Sequence, residues 1–258
     1  NINTTGALNV TGALRIGNDG GSVGIMNLES GTVVVSNNGA VFAGTENNIG
    51  HGGGIATLNI SGGSLSVSNG LRLGNESGGN GTLTLSGTGA LNVADELIVG
   101  RESGTGVLNV NGGTITTSGN GNMYIGRRNG TGTLNQSNGV ISVIYEFGVG
   151  TRDDNKIGTG TYNLSGGTLS AGRNIFIGKE QGSSGTMDMT GGTMSTSDKL
   201  QIGHNQATGV LTQSGGTVNV QNEVYIGNEN NASSVGTYTL SGTGVLNVGN
   251  EVIVGRDN

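Results

Sequence analysis

Apolar and polar residues alternate along this chain in short runs, and the runs recur in threes. In Gly81–Thr105 they are Leu83-Thr84-Leu85, Leu91-Asn92-Val93 and Leu97-Ile98-Val99, each followed by a turn. Alternation with period two predicts half-buried strands, and no stretch carries a 3.6-residue period over helical length. The whole unit of about 25 residues returns along the chain, with copies opening at Gly24, Gly54, Gly81, Gly106, Gly132, Gly160, Gly185, Gly209 and Gly236. Residues 1–17 form one more copy without its opening residues. A fixed period of this size predicts a stacked repeat architecture.

Three strands and three turns account for the period, so one copy predicts one three-sided coil. Stacked coils set each strand parallel and in register with its equivalent, about 4.8 Å away. The chain is then an all-β parallel β-solenoid of about ten coils, a single domain over residues 1–258. Predicted inward pairs are Leu58/Ile60, Leu83/Leu85 and Tyr162/Leu164 on the first side. The second side offers Leu65/Val67 and Leu91/Val93, and the third Leu71/Leu73, Leu97/Val99 and Ile175/Ile177. Tight corners after the first strand carry Ser61-Gly62-Gly63, Ser165-Gly166-Gly167 and Ser214-Gly215-Gly216. A glycine also closes each third strand, at Gly17, Gly44, Gly74, Gly100, Gly126, Gly150, Gly178, Gly203, Gly227 and Gly255. The loop after that glycine varies in length and is longest at Gly44–Gly54 and Gly150–Gly160.

Composition narrows the function classes. Glycine supplies 55 of 258 residues, yet proline is absent and no Gly-X-Y period exists, which excludes collagen. Net charge is −6 with scattered Lys and Arg, against nucleic-acid binding. No apolar stretch is long enough to span a membrane, and zero cysteine excludes disulfides and thiolate metal sites.

The Gly-Thr-x-Leu openings, the Ser-Gly-Gly corners and the apolar-x-apolar-Gly closures together resemble the autotransporter-associated β-strand repeat, over the whole chain. The resemblance implies a secreted bacterial β-solenoid: an adhesin, a stalk or an extracellular structural element at the cell surface.

The outward positions carry whatever chemistry exists. Side one shows Thr57/Asn59, Thr82/Thr84, Thr133/Asn135 and Thr161/Asn163, read as a polar ladder, with an ice-binding array as the alternative. Side three breaks the polar rule, with Phe42, Ile98, Tyr124, Phe176, Tyr225 and Ile253 in one outward column. Exposed apolar area marks interaction surfaces, so this column reads as a lateral contact or a platform for sugar rings. The competing reading is an edge covered by adjacent loops. Just beyond the closing glycines stand Asp19, Glu46, Glu76, Glu102, Asp153, Glu180, Glu229 and Asp257. Stacked carboxylates of this kind suit either a Ca²⁺ ladder or neutralisation by the interleaved Arg101, Arg127, Lys179 and Arg256.

No catalytic constellation emerges. His51 and His204 lie in distant coils, and the in-strand acids are far apart. The sequence therefore points to a non-enzymatic extracellular fibre or stalk subunit that stacks on itself end to end. The alternative is an adhesin that binds glycan through the aromatic column.

Overall fold

The computed structural model describes residues 5–36, 47–229 and 233–257. Every named strand pairing is parallel, and together the strands wind a β-solenoid. The third side is one sheet of ten strands, from Arg15–Asn18 through Leu97–Arg101 and Met123–Arg127 to Val252–Asp257. Ten rungs on one side enclose about nine full turns. Sides one and two join into a second sheet of 17 strands. They join because two strands, Thr105–Thr117 and Thr131–Val143, run 13 residues straight through the corner that is a turn elsewhere.

The register is the one the repeat demands. Leu97, Ile98 and Val99 face Leu71, Arg72 and Leu73 on one side and Met123, Tyr124 and Ile125 on the other. Alternate residues point inward, and the inward pairs of the interior coils are fully buried in one continuous core. The coil at each extreme lacks a neighbour on one side, so its inward residues stay partly open; Val254 is 72% exposed. On side one, amides link successive coils: Asn59 donates to Asn27 (2.8 Å), Asn135 to Asn109 (2.9 Å) and Asn163 to Asn135 (2.8 Å). The polar ladder is thus present as hydrogen bonds between coils.

Glycine fixes the corner between sides three and one. Gly126 has φ +73°, and a Cβ there would lie 1.9 Å from the Thr159 carbonyl oxygen of the next coil. Gly132 presses on the same corner from the other side, its imagined Cβ 2.3 Å from the Gly126 nitrogen. Two backbones meet where no side chain fits, which accounts for the paired glycines of the repeat. Ala56 is the exception in the second of these columns.

One coil departs from the sequence expectation. The third strand of the second coil is Asn47–His51, closed by Gly50 with φ +75°, rather than a strand ending at Gly44. Asn48 holds the outward position assigned to Phe42, between Arg15 and Arg72. Phe42 and Glu46 lie outside the described residues. The apolar pattern misleads here because a buried Asn47 replaces the first inward apolar residue. Its side chain accepts from the Leu14 amide (2.8 Å) and donates to the Gly70 carbonyl (3.2 Å), so its polarity is satisfied.

Two further polar side chains sit in the core. Gln136 is 1% exposed and Gln213 is fully buried, both on side one. Tyr162 of the following coil donates to the Gln136 Oε1 at 2.6 Å. The Gln136 Nε2 donates to the carbonyls of Gly139 (3.2 Å) and Thr168 (3.1 Å). Gln213 repeats the arrangement with Tyr238, Gly216 and Val245. Burial pushes the Tyr162 phenol far up and the Tyr238 phenol up to about 12, so both remain protonated donors.

Candidate interaction surface

The outward column of side three is not bare. Ile98 is 1%, Phe176 3%, Tyr225 4% and Tyr124 7% exposed, which overturns the expectation of an open aromatic face. Only Ile253, on the last described coil, is half-buried. The cover comes from long cationic side chains. The left-handed closing glycine turns the strand so that the residue three positions on folds back over the ring. Arg127 lies 4.4 Å from the centre of the Tyr124 ring, and the Lys179 ammonium 4.2 Å from that of Phe176. Lys199 covers Tyr225 at 5.3 Å, and His204 of the next coil lies against Phe176. Gly148 leaves a slot in the column for the Tyr124 ring, whose Cδ1 would sit 2.9 Å from a Cβ there. The reading of a covered edge is the one this geometry fits, with side chains of the sheet itself doing most of the covering.

The covering cations are held by acids from neighbouring coils. Arg127 pairs with Glu96 and Asp153 (both 2.8 Å), Lys179 with Glu146 (2.8 Å) and Lys199 with Glu223 (3.4 Å). Of the acids in the loop edge, Glu102 meets Arg101 (3.5 Å), Arg128 (3.3 Å) and Lys156 (2.6 Å). Asp19 and Glu76 flank His51 at 3.7 and 3.2 Å, and Glu180 accepts from Asn205. The loop position assigned to Glu46 belongs to Gly52, whose amide bonds the Asn75 carbonyl as that of Glu76 bonds Arg101. Glu229 and Asp257 are backbone neighbours on adjacent coils. The acidic edge is therefore interleaved with the protein's own cations. Among the described residues, no three His, Asp or Glu side chains gather as a metal site.

Among the described residues, the Gly150–Gly160 insertion departs furthest from the repeat. Asp153 and Lys156 pair antiparallel through two backbone hydrogen bonds (3.1 and 2.9 Å). Asp154 and Asn155 between them have φ of 50° and 59°. Two left-handed central residues make the tight turn favoured in two-residue hairpins, for which Asp and Asn are suited. Ion pairs tie this small hairpin down: Asp153 and Asp154 to Arg128, and Lys156 to Glu102, 54 residues earlier in the chain.

Burial works against the Glu102 charge, but the Lys156 hydrogen bond and the Arg101, Lys156 and Arg128 charges outweigh it. The Glu102 carboxyl is held below its usual value of 4.5. A depressed carboxyl stabilises the fold above its unfolded pKa and loses that contribution as pH falls through the folded one. Glu102→Gln is accordingly expected to cost about 1 kcal/mol at pH 7. Its stability should decline less than that of the parent chain below pH 4.5, as denaturant melts across pH will measure.

Beside the hairpin opens a cleft of about 380 Å³, lined by Tyr124, Arg127, Thr151, Arg152, Asp153, Asp154, Asn155, Lys179 and Glu180. Sequence reasoning picked out Tyr124, Asp153 and Glu180 for other roles and missed Arg152, Asn155 and the cleft itself. The available signal was the charged run Arg152–Lys156 inside the longest insertion. Comparisons with protein-family profiles, with curated proteins and with solved structures each give no match for this chain.

Proposed function

We propose that this chain is a structural β-solenoid rod, an element of a fibre or cell-surface stalk outside the cell, without catalysis. The observation that carries the reading is the unbroken parallel register of all three sides around one continuous core. Ten third-side strands at about 4.8 Å each extend the rod to roughly 45 Å. The outward groups serve the same end, because amides, cations and acids are largely spent on joining one coil to the next. Placement outside the cell follows from the resemblance of the repeat.

Self-association belongs to this proposal. A coil without a neighbour leaves inward side chains open, such as Leu8 at 43% and Val254 at 72%, and a coil of the same repeat is what covers such a face inside the rod. Sedimentation of the 258-residue chain over a wide concentration range, with negative-stain micrographs, tests it. End-to-end stacking gives rods whose length grows with concentration. A single short species at every concentration removes the stacking part of the proposal.

A further inference from the structure

Rods built for stiffness alone have no need of a preformed concavity, yet one opens beside the 152–157 hairpin. Its volume of about 380 Å³ falls in the range of small-molecule sites, roughly 300–1,000 Å³. Three features of its lining bear on what it could hold.

Tyr124 is 7% exposed and lines the cleft, and its hydroxyl makes no hydrogen bond to a described residue. Its oxygen is not one of the buried unpaired atoms of the structure, so it is open to solvent and to a ligand. Here the ring is held by Arg127 and the Gly148 slot, so the hydroxyl is positioned and left free. Arg152 is the second feature. Among the described residues its guanidinium donates to two neutral acceptors, Gln181 Oε1 at 2.9 Å and Asn155 Oδ1 at 2.7 Å. Every other cation lining the cleft has a carboxylate partner: Arg127 has Glu96 and Asp153, and Lys179 has Glu146. The third feature is the supply of acceptors on the same walls, from the Asp154 and Glu180 carboxylates and the Asn155 amide.

A cation without a counter-charge calls for an anionic group, and the guanidinium fork matches a carboxylate in two-point fashion. A free phenol with surrounding acceptors calls for hydroxyl groups. The cleft is too large for a small anion and too polar for an apolar ligand. We propose that it binds an acidic saccharide, with a sugar carboxylate on Arg152 and ring hydroxyls on Tyr124 and the hairpin acceptors. The hairpin is already clamped through Arg128 and Lys156, so the site is preorganised. This inference does not depend on the stacking of rods.

Isothermal titration of the whole chain with trigalacturonate tests the site, with maltotriose, acetate and inorganic phosphate as the other probes. Saturable binding of trigalacturonate alone is expected. Arg152→Gln should weaken it about tenfold or more through loss of a charge-assisted bidentate contact. Tyr124→Phe should weaken it about fivefold while leaving thermal stability unchanged, since the hydroxyl has no partner to lose. Equal binding of maltotriose overturns the acidic sugar, and equal binding of acetate or phosphate reduces the site to a simple anion contact. Absence of binding at millimolar trigalacturonate, or an unchanged affinity in Arg152→Gln with melting intact, overturns the proposal outright.

Discussion

Gly126→Ala is expected to destabilise the rod by about 4 kcal/mol or more, a large effect for a single added methyl group. Two costs add. An alanine at φ +73° is strained whatever the space around it. Its Cβ would also meet the Thr159 carbonyl at 1.9 Å, the Thr159 carbon at 2.3 Å and the Gly160 nitrogen at 2.9 Å. All of these are backbone atoms, so no side chain can swing away, and relief requires the coils to part at that corner. Gly12→Ala is the control: nothing lies within 4 Å of a Cβ there and its φ is ordinary. That variant is expected to melt within about 1 kcal/mol of the parent chain. Equilibrium denaturation of the pair decides the matter, and similar midpoints for both would refute the interlocked corner.

The second large effect concerns the buried amide. Tyr162→Phe removes one oxygen and no packing volume, yet it strands the Gln136 Oε1 inside the core. Leaving a buried acceptor unpaired costs about 1–3 kcal/mol. Gln136→Leu is expected to cost a comparable amount, because the Gly139 and Thr168 carbonyls lose a donor. The double variant is expected to be less destabilised than the sum of the two, by about 1 kcal/mol in a mutant cycle. Additive costs would show that phenol and amide do not act together. The companion pair, Gln213 with Tyr238, lies near the last described coil, where Tyr238 is only partly buried, and a smaller penalty is expected there.

What the sequence discloses follows from how local its signals are. Strand, side and register were legible because inward residues such as Leu83/Leu85 and Leu97/Val99 repeat with period two inside a fixed longer period. The closing glycines were legible for the same reason, except at Gly50. There Asn47 and Asn48 break the apolar rhythm, and the apparent strand moves to Phe42. Tyr124, Phe176 and Tyr225 were correctly placed on the outer column, but their cover was not visible. It depends on Arg127 and Lys179 folding back across a left-handed glycine, a three-residue relation that strand periodicity does not encode, and on Lys199 reaching over from the preceding coil. Gln136 and Gln213 escaped notice because a polar residue at an inward position reads as a gap in the pattern. Its partner lies a full coil away. The cleft was the least legible of all, since it exists only where hairpin, column and two neighbouring coils meet.

The two strands that run unbroken through a corner bear on how such a rod comes apart. A stack held together by neighbour contacts frays from its extremes inward, one coil at a time. Thr105–Thr117 and Thr131–Val143 pair with each other along almost their whole length, and the hairpin's ion pairs clip the adjoining coils at the same height. Opening there means breaking two sides of a coil at once. The middle of the rod thus acts as a rivet: its amide protons are the last to exchange with solvent, and a protease that trims the outer coils stalls when it reaches them.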